Sequence, residues 1–155
     1  MTLKATFEEA ARQALKNQEP LLVSTLRLAL AAIHNREIEK KAKTGEGQLS
    51  EEEVLAVVRS EVKKRRDAIA EYEKAGRKEL AEKEALELGI LEKYLPAEMP
   101  DVELEAVLKG VITDLGVASQ KDIGRVMGEA MKRLGGRVSG ERVSAAAKRL
   151  LRPAA

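Results

Sequence analysis

Aliphatic residues recur at three- and four-residue spacing through most of this chain, as in Leu22, Leu26, Leu30 and Ile33. This is the spacing of residues on one face of an α-helix, and no stretch shows the strict alternation of a β-strand. Aromatic residues make up only 2% of the sequence, so the core must be built from Leu, Val, Ile, Ala and Met. We therefore predict an all-α protein.

The segment LPAEMP divides the predicted helices into two groups, because two prolines within a few residues end a helix. We predict a helical N-terminal lobe of long antiparallel helices over residues 1–95. A small three-helix C-terminal lobe is predicted over residues 96–155. The predicted helices are 2–16, 20–43, one that begins after Ser50 and ends at Gly76, 78–94, 101–115, 119–134 and 139–151.

The composition argues against several chemistries. The chain has no cysteine and a single histidine, which excludes disulfides and multi-histidine zinc sites. It also lacks a serine nucleophile elbow, a Walker loop and a dinucleotide fingerprint. We predict no catalytic residue, no metal, no cofactor and no evident small-molecule substrate, with His34 as a packed residue at the edge of a helix face.

The longest early apolar run, residues 21–33, includes Arg27 and is shorter than a membrane-spanning helix. We expect a soluble, cytoplasmic protein with no membrane contact.

The sequence KKRRD at residues 63–67 looks at first like a nucleic-acid patch. On a helix, consecutive residues point all around the circumference, and Glu61 stands four positions before Arg65, the spacing of an ion pair. A solvated, salt-bridged helix is therefore the favoured interpretation. Arg65 lies on the apolar stripe and is expected to reach a carboxylate between helices.

Positive charge concentrates near the C-terminus: from Lys121 onwards there are nine basic and three acidic residues, a net charge of +6. The segment KRLGGRVSGER places four cations beside flexible backbone at two helix ends, without an aromatic residue on which bases could stack. This combination favours recognition of a structured RNA by its phosphates and shape. The predicted nucleic-acid-binding residues are Lys121, Arg125, Lys132, Arg133, Gly136, Arg137 and Arg142.

Gly124 and Gly128 form a G-x-x-x-G pair within DIGRVMGEAMKRLGG. Close packing of helices inside the small lobe is the favoured interpretation of these two glycines. The alternative is a face, together with Met127 and Met131, that receives a helix of a partner protein.

Two long segments resemble the GatB/YqeY family: VRSEVKKRRDAIAEYEKAGRKELAEKEALELGILEKYLP, and then KDIGRVMGEAMKRLGGRVSGERV. The resemblance covers nearly the whole chain and is closest to the small, free-standing YqeY-like proteins. It implies an all-α fold of two helical lobes. A similar module forms the tail of the B subunit of glutamine-dependent tRNA amidotransferase and contacts tRNA there, which implies RNA contact at Lys132, Gly136 and Arg137.

The resemblance also carries a link to carbon–nitrogen ligases that use glutamine as amido donor. The 155 residues contain no counterpart of the amidase subunit or of the ATP-using cradle of that enzyme. We therefore expect a non-catalytic tRNA-binding accessory protein, with a possible protein partner such as an amidotransferase or a translation factor. The alternatives are a component of a carbon–nitrogen ligase complex and a protein–protein interaction module that binds no RNA.

Overall fold

The computed structural model describes residues 1–153, with Gly136 described by its backbone alone, and the described chain is helical. The helices are α1 (Leu3–Lys16), α2 (Pro20–Thr44), α3 (Glu51–Lys74), α4 (Lys78–Glu92), α5 (Asp101–Leu115), α6 (Ile123–Leu134) and α7 (Gly140–Leu150). Short 3-10 turns, Gln120–Asp122 and Gly135–Arg137, precede and follow α6. The all-α prediction is confirmed.

The chain divides into two compact units, an N-terminal unit over Met1–Pro96 and a C-terminal unit that begins at Ala97. Each unit has its own hydrophobic core. Helices α1–α4 form the first unit and α5–α7 form the second.

The core of the N-terminal unit contains Phe7, Leu26 and Ile33, which are fully buried, and Leu26 and Ile33 belong to the apolar stripe seen in the sequence. The ring of Phe7 meets Tyr94 edge to face, with 5.1 Å between centroids. Two leucines of helices α1 and α4, Leu15 and Leu80, are instead 57% and 39% exposed. Leu15 follows the buried Ala14, and Leu80 precedes the buried Ala81. Because successive residues of a helix are rotated by about 100°, each leucine points away from the direction of its buried neighbour.

Local signals in the sequence define the ends of α3. Ser50 accepts a hydrogen bond from the amide of Glu53, and the Glu53 carboxylate accepts one from the amide of Ser50, which completes a capping box. A hydrogen bond from Lys40 is the largest of the effects that lower the pKa of Glu53. At the other end of α3, where the sequence predicts that the helix ends, Gly76 adopts a left-handed conformation with φ of +70°.

The charged segment of α3 forms ion pairs, as predicted. Arg65 is buried, with its Nε 3.3 Å from Glu87 Oε2 of α4 and its guanidinium also 3.3 Å from Glu61 Oε2. On the surface, Lys64 pairs with Glu61 at 3.1 Å and Arg66 pairs with Glu92 at 2.7 Å. Arg65 thus reaches a carboxylate between helices, while its neighbours remain solvated.

His34 is exposed, which corrects the expectation of a packed edge residue. Its side chain is 69% accessible and Nδ1 lies 3.5 Å from Glu37 Oε2. Ile33 immediately before it is buried, so the next residue along the helix turns away from the core. Within residues 1–153, no helix combines the length and apolarity required to cross a bilayer.

Three short helices surround the core of the C-terminal unit. The buried residues are Leu104, Leu108 and Val111 of α5, Val126, Ala130 and Leu134 of α6, and Val143, Ala146 and Ala147 of α7. An isolated β-bridge between Ser119 and Arg152 joins the segment before α6 to the segment after α7. The bridge fixes the start of α6 beside the end of α7.

Candidate nucleic-acid interface

Helix α6 has a face that packs into the core and an outer face. Some of the predicted cations lie on this outer face, and the others lie just before or after the helix. Val126, Ala130 and Leu134 point into the core. Arg125 and Lys132 are exposed and lie seven residues apart, which is two helical turns, so both project from the outer face. Lys132 has no ion pair among the residues that the structure describes.

The turn after α6 holds Arg137 against the end of that helix. The guanidinium donates to the carbonyl oxygens of Leu134 and Arg133, both at 3.2 Å, and so caps unpaired carbonyls of the last turn. Arg137 remains exposed, and a guanidinium has five N–H donors, so donors remain for a ligand. We call Lys132 and Arg137 the turn cluster. Gly136 lies in this turn, and its surroundings fall outside the described part of the chain.

Arg133 is engaged inside the C-terminal unit. It pairs with Asp114 of α5 at 2.8 Å and with Glu129 of α6 at 3.1 Å. The hydrogen bond that it donates to Asp114, followed by the one to Glu129, raises the pKa of the Arg133 guanidinium. This predicted site residue therefore connects two helices as well as facing solvent.

Arg142 is engaged in the same way at the start of α7. Its guanidinium donates to Asp101 and Glu98, both at 2.7 Å, and to the carbonyl oxygen of Met99 at 2.8 Å. The hydrogen bond to Asp101, followed by the one to Glu98, raises the pKa of Arg142. Arg142 thus ties α7 to the segment that leads into α5, and its charge is already balanced.

The start of α6 presents two further predicted cations. Lys121 is exposed and has no ion pair within residues 1–153. The Arg125 side chain is 63% exposed and has a long contact of 4.0 Å with Asp122. An exposed contact of this length contributes little, so Arg125 is available to an anionic ligand.

Gly124 and Gly128 do not serve close helix packing, which corrects the favoured interpretation of the G-x-x-x-G pair. Both are exposed, and a Cβ added at either position would have no neighbour within 4 Å. They leave part of the outer face of α6 without side chains. Of the two methionines grouped with them, Met127 packs against the core of the unit and Met131 is 37% exposed.

Sequence reasoning missed two cations that the fold places beside Lys121. The amide of Gln120 donates to the carbonyl oxygen of Arg152 at 2.8 Å, and the Gln120 side chain donates to the carbonyl oxygen of Lys148 at 3.0 Å. Lys121, Lys148 and Arg152 are all exposed, and we call them the bridge cluster. The net charge of +6 included Lys148 and Arg152, but their position at this end of the unit depends on tertiary structure.

The fold and this surface define an all-α protein whose C-terminal three-helix unit presents exposed cations at both ends of α6. Comparison with known proteins agrees with the YqeY-like part of the resemblance: residues 4–151 match the family described as YqeY-like protein. The chain belongs to that family.

Individual relatives come from yeasts. The chain is 34% identical over 114 residues to altered inheritance of mitochondria protein 41, mitochondrial, of Kluyveromyces lactis, a match that covers 72% of this chain and 59% of the relative. An uncharacterized protein of Schizosaccharomyces pombe is 32% identical over 94 residues, covering 61% of this chain and 72% of the relative. The protein 41 homologue of Vanderwaltozyma polyspora is 29% identical over 118 residues, a match that covers 72% of this chain and 62% of the relative.

The chain therefore spans about three fifths of the length of the two protein 41 relatives. The names of those two relatives place them in mitochondria. The cytoplasmic location expected for this chain stays a prediction.

Proposed function

We propose that this protein is a non-catalytic RNA-binding accessory protein whose C-terminal unit contacts the backbone of tRNA. The observation that carries the proposal is the division of charge within that unit. The shortest ion pairs of the unit engage Arg133 and Arg142. The exposed cations without an ion pair among the described residues include Lys121, Lys132 and Arg137, and Arg125 has only its long contact with Asp122. Exposed cations without an ion pair can neutralise phosphates of an RNA and release the counterions that were condensed on it.

The proposed contacts are the cations of the predicted site that remain available: Lys121, Arg125, Lys132 and Arg137. Arg133 and Arg142 are assigned a positioning role, because their carboxylate partners hold α5 against α6 and α7. Removing either arginine would disturb the unit as well as its surface charge. Neither is therefore a clean probe of RNA binding.

The residue types of the C-terminal unit favour recognition of phosphate and shape over the reading of bases. The aromatic residues Phe7, Tyr72 and Tyr94 all precede residue 97. Modules that read single-stranded RNA stack bases on aromatic rings or arginine planes, whereas phosphate contacts position a structured RNA. The resemblance to the tail of the tRNA amidotransferase B subunit supports tRNA as the structured RNA. In this proposal any amide transfer on charged tRNA is carried out by partner subunits.

The experiment that tests the proposal compares two matched double variants of the full chain. Lys132→Gln/Arg137→Gln removes the turn cluster, and Lys16→Gln/Arg27→Gln removes one lysine and one arginine from exposed positions of the N-terminal unit. Binding of a fluorescent tRNA transcript is measured by anisotropy at several salt concentrations. We expect the first variant to bind more weakly. Its slope of log K against log salt should be shallower by about 0.9 for each phosphate that it no longer neutralises.

The control variant should keep the affinity and the salt slope of the unmodified protein. Equal behaviour of both variants and the unmodified protein would contradict the assignment of the turn cluster. Thermal unfolding followed by circular dichroism verifies that both variants are folded at the temperature of the assay.

A further inference from the structure

The bridge cluster and the turn cluster lie at opposite ends of α6. The bridge cluster sits where α6 begins and α7 ends, since the hydrogen bonds of Gln120 join these two segments. The turn cluster sits where α6 ends. A helix of 12 residues is about 18 Å long, so the clusters are separated by roughly that distance.

Between the clusters, the outer face of α6 has few protruding side chains, and it carries positive charge. Gly124 and Gly128 contribute no side chain there, and Arg125 and Lys132 project from the same face. An RNA backbone could therefore approach the helix closely between the two clusters. The glycines alone would define no site, and the inference depends on cations at both ends.

We infer that the two clusters act together and bind double-stranded RNA, with α6 lying across its minor groove. The inference rests on the proposed function and specifies which form of RNA the site takes. An A-form helix has a wide, shallow minor groove with phosphates along both edges, which cation clusters at the two ends of one helix can contact together. An unpaired strand exposes bases that need stacking partners, and no aromatic residue follows Tyr94.

Three nucleic acids of one sequence test this inference on the full chain: an RNA duplex of about 20 base pairs, one of its strands alone, and the corresponding DNA duplex. We expect the RNA duplex to bind several-fold more tightly than the single strand. We also expect it to bind more tightly than the DNA duplex, whose narrower minor groove and missing 2′-hydroxyls change the contact surface.

Single charge reversals separate the two clusters. Lys148→Glu alters the bridge cluster, Lys132→Glu alters the turn cluster, and Lys109→Glu makes the same change on α5, which carries neither cluster. Lys109 is exposed like the other two lysines, so it is a matched control. Lys148→Glu and Lys132→Glu should each lower duplex affinity several-fold and flatten its salt dependence, whereas Lys109→Glu should have little effect. Lys148→Gln removes the charge more conservatively and should show a smaller loss in the same direction.

Two results would overturn the inference and leave the proposed function standing. One is a Lys148→Glu variant that binds the duplex as Lys109→Glu does, while Lys132→Glu binds more weakly. The other is a single strand that binds as tightly as the duplex. If no RNA binds and the outer face of α6 binds a partner protein instead, both the inference and the proposed function are overturned.

Discussion

Replacing Arg65 with methionine is expected to lower the free energy of unfolding by about 3–5 kcal/mol, the range found when one partner of a buried ion pair is removed. The Arg65 side chain is 7% exposed and its partner Glu87 is 8% exposed. Their contact at 3.3 Å joins α3 to α4, and the Nε atom forms no well-aligned hydrogen bond. Without the guanidinium, the buried Glu87 carboxylate would lose its contact with Arg65, whereas Glu61 would keep its surface pair with Lys64.

A surface pair on the same helix provides the control. Arg66 and Glu92 lie 2.7 Å apart, but their side chains are 58% and 45% exposed, so Arg66→Met should cost less than about 1 kcal/mol. The double variant Arg65→Met/Glu87→Leu should recover much of the loss, because paired apolar groups can replace a buried ion pair. Urea unfolding measures all three. An Arg65→Met variant no less stable than Arg66→Met would show that the buried pair does not hold the α3–α4 hairpin.

Replacing Leu108 with alanine is expected to destabilise the C-terminal unit by about 2–5 kcal/mol. Leu108 is fully buried in the core that α5 shares with α6 and α7. Truncation would remove apolar packing and leave a cavity among the helices that present the cations. RNA affinity should fall at temperatures where the unit of this variant is partly unfolded, and should return on cooling.

Val102→Ala on the same helix is the control for Leu108→Ala. Val102 is 80% exposed, so its truncation should change stability by less than about 0.5 kcal/mol. Thermal unfolding, followed by helical circular dichroism in parallel with RNA binding, measures both variants. Equal unfolding temperatures for the two would contradict the assignment of Leu108 to a packed core.

The sequence was most informative where a structural feature depends on neighbouring residues. Pro20 begins α2, the Ser50–Glu53 capping box begins α3, and Gly76 follows its last turn in a left-handed conformation. Each signal acts within a few residues through backbone hydrogen bonds or backbone torsion angles, so it can be recognised from the sequence alone. Helical periodicity likewise predicted that Leu26 and Ile33 would be buried.

Features that depend on contacts between residues far apart in the chain could not be predicted from the sequence as well. Arg133 and Arg142 were predicted to lie at the basic turn, but their acidic partners Asp114 and Asp101 come from another helix. Exposure of Gly128 was not predictable, because a small residue suits either a tight interface or an open surface. The proximity of Lys148 to Lys121 likewise arises only when the β-bridge joins the two ends of the C-terminal unit.

The central claim is that the C-terminal unit neutralises phosphates of a structured RNA. Its most direct test is the affinity of the unmodified full chain for a folded tRNA transcript, measured as salt concentration is raised. We predict that log K falls linearly with log salt, with a slope of about −0.9 for each phosphate neutralised. Absence of binding at low salt, or an affinity that does not change as salt rises, would contradict the claim.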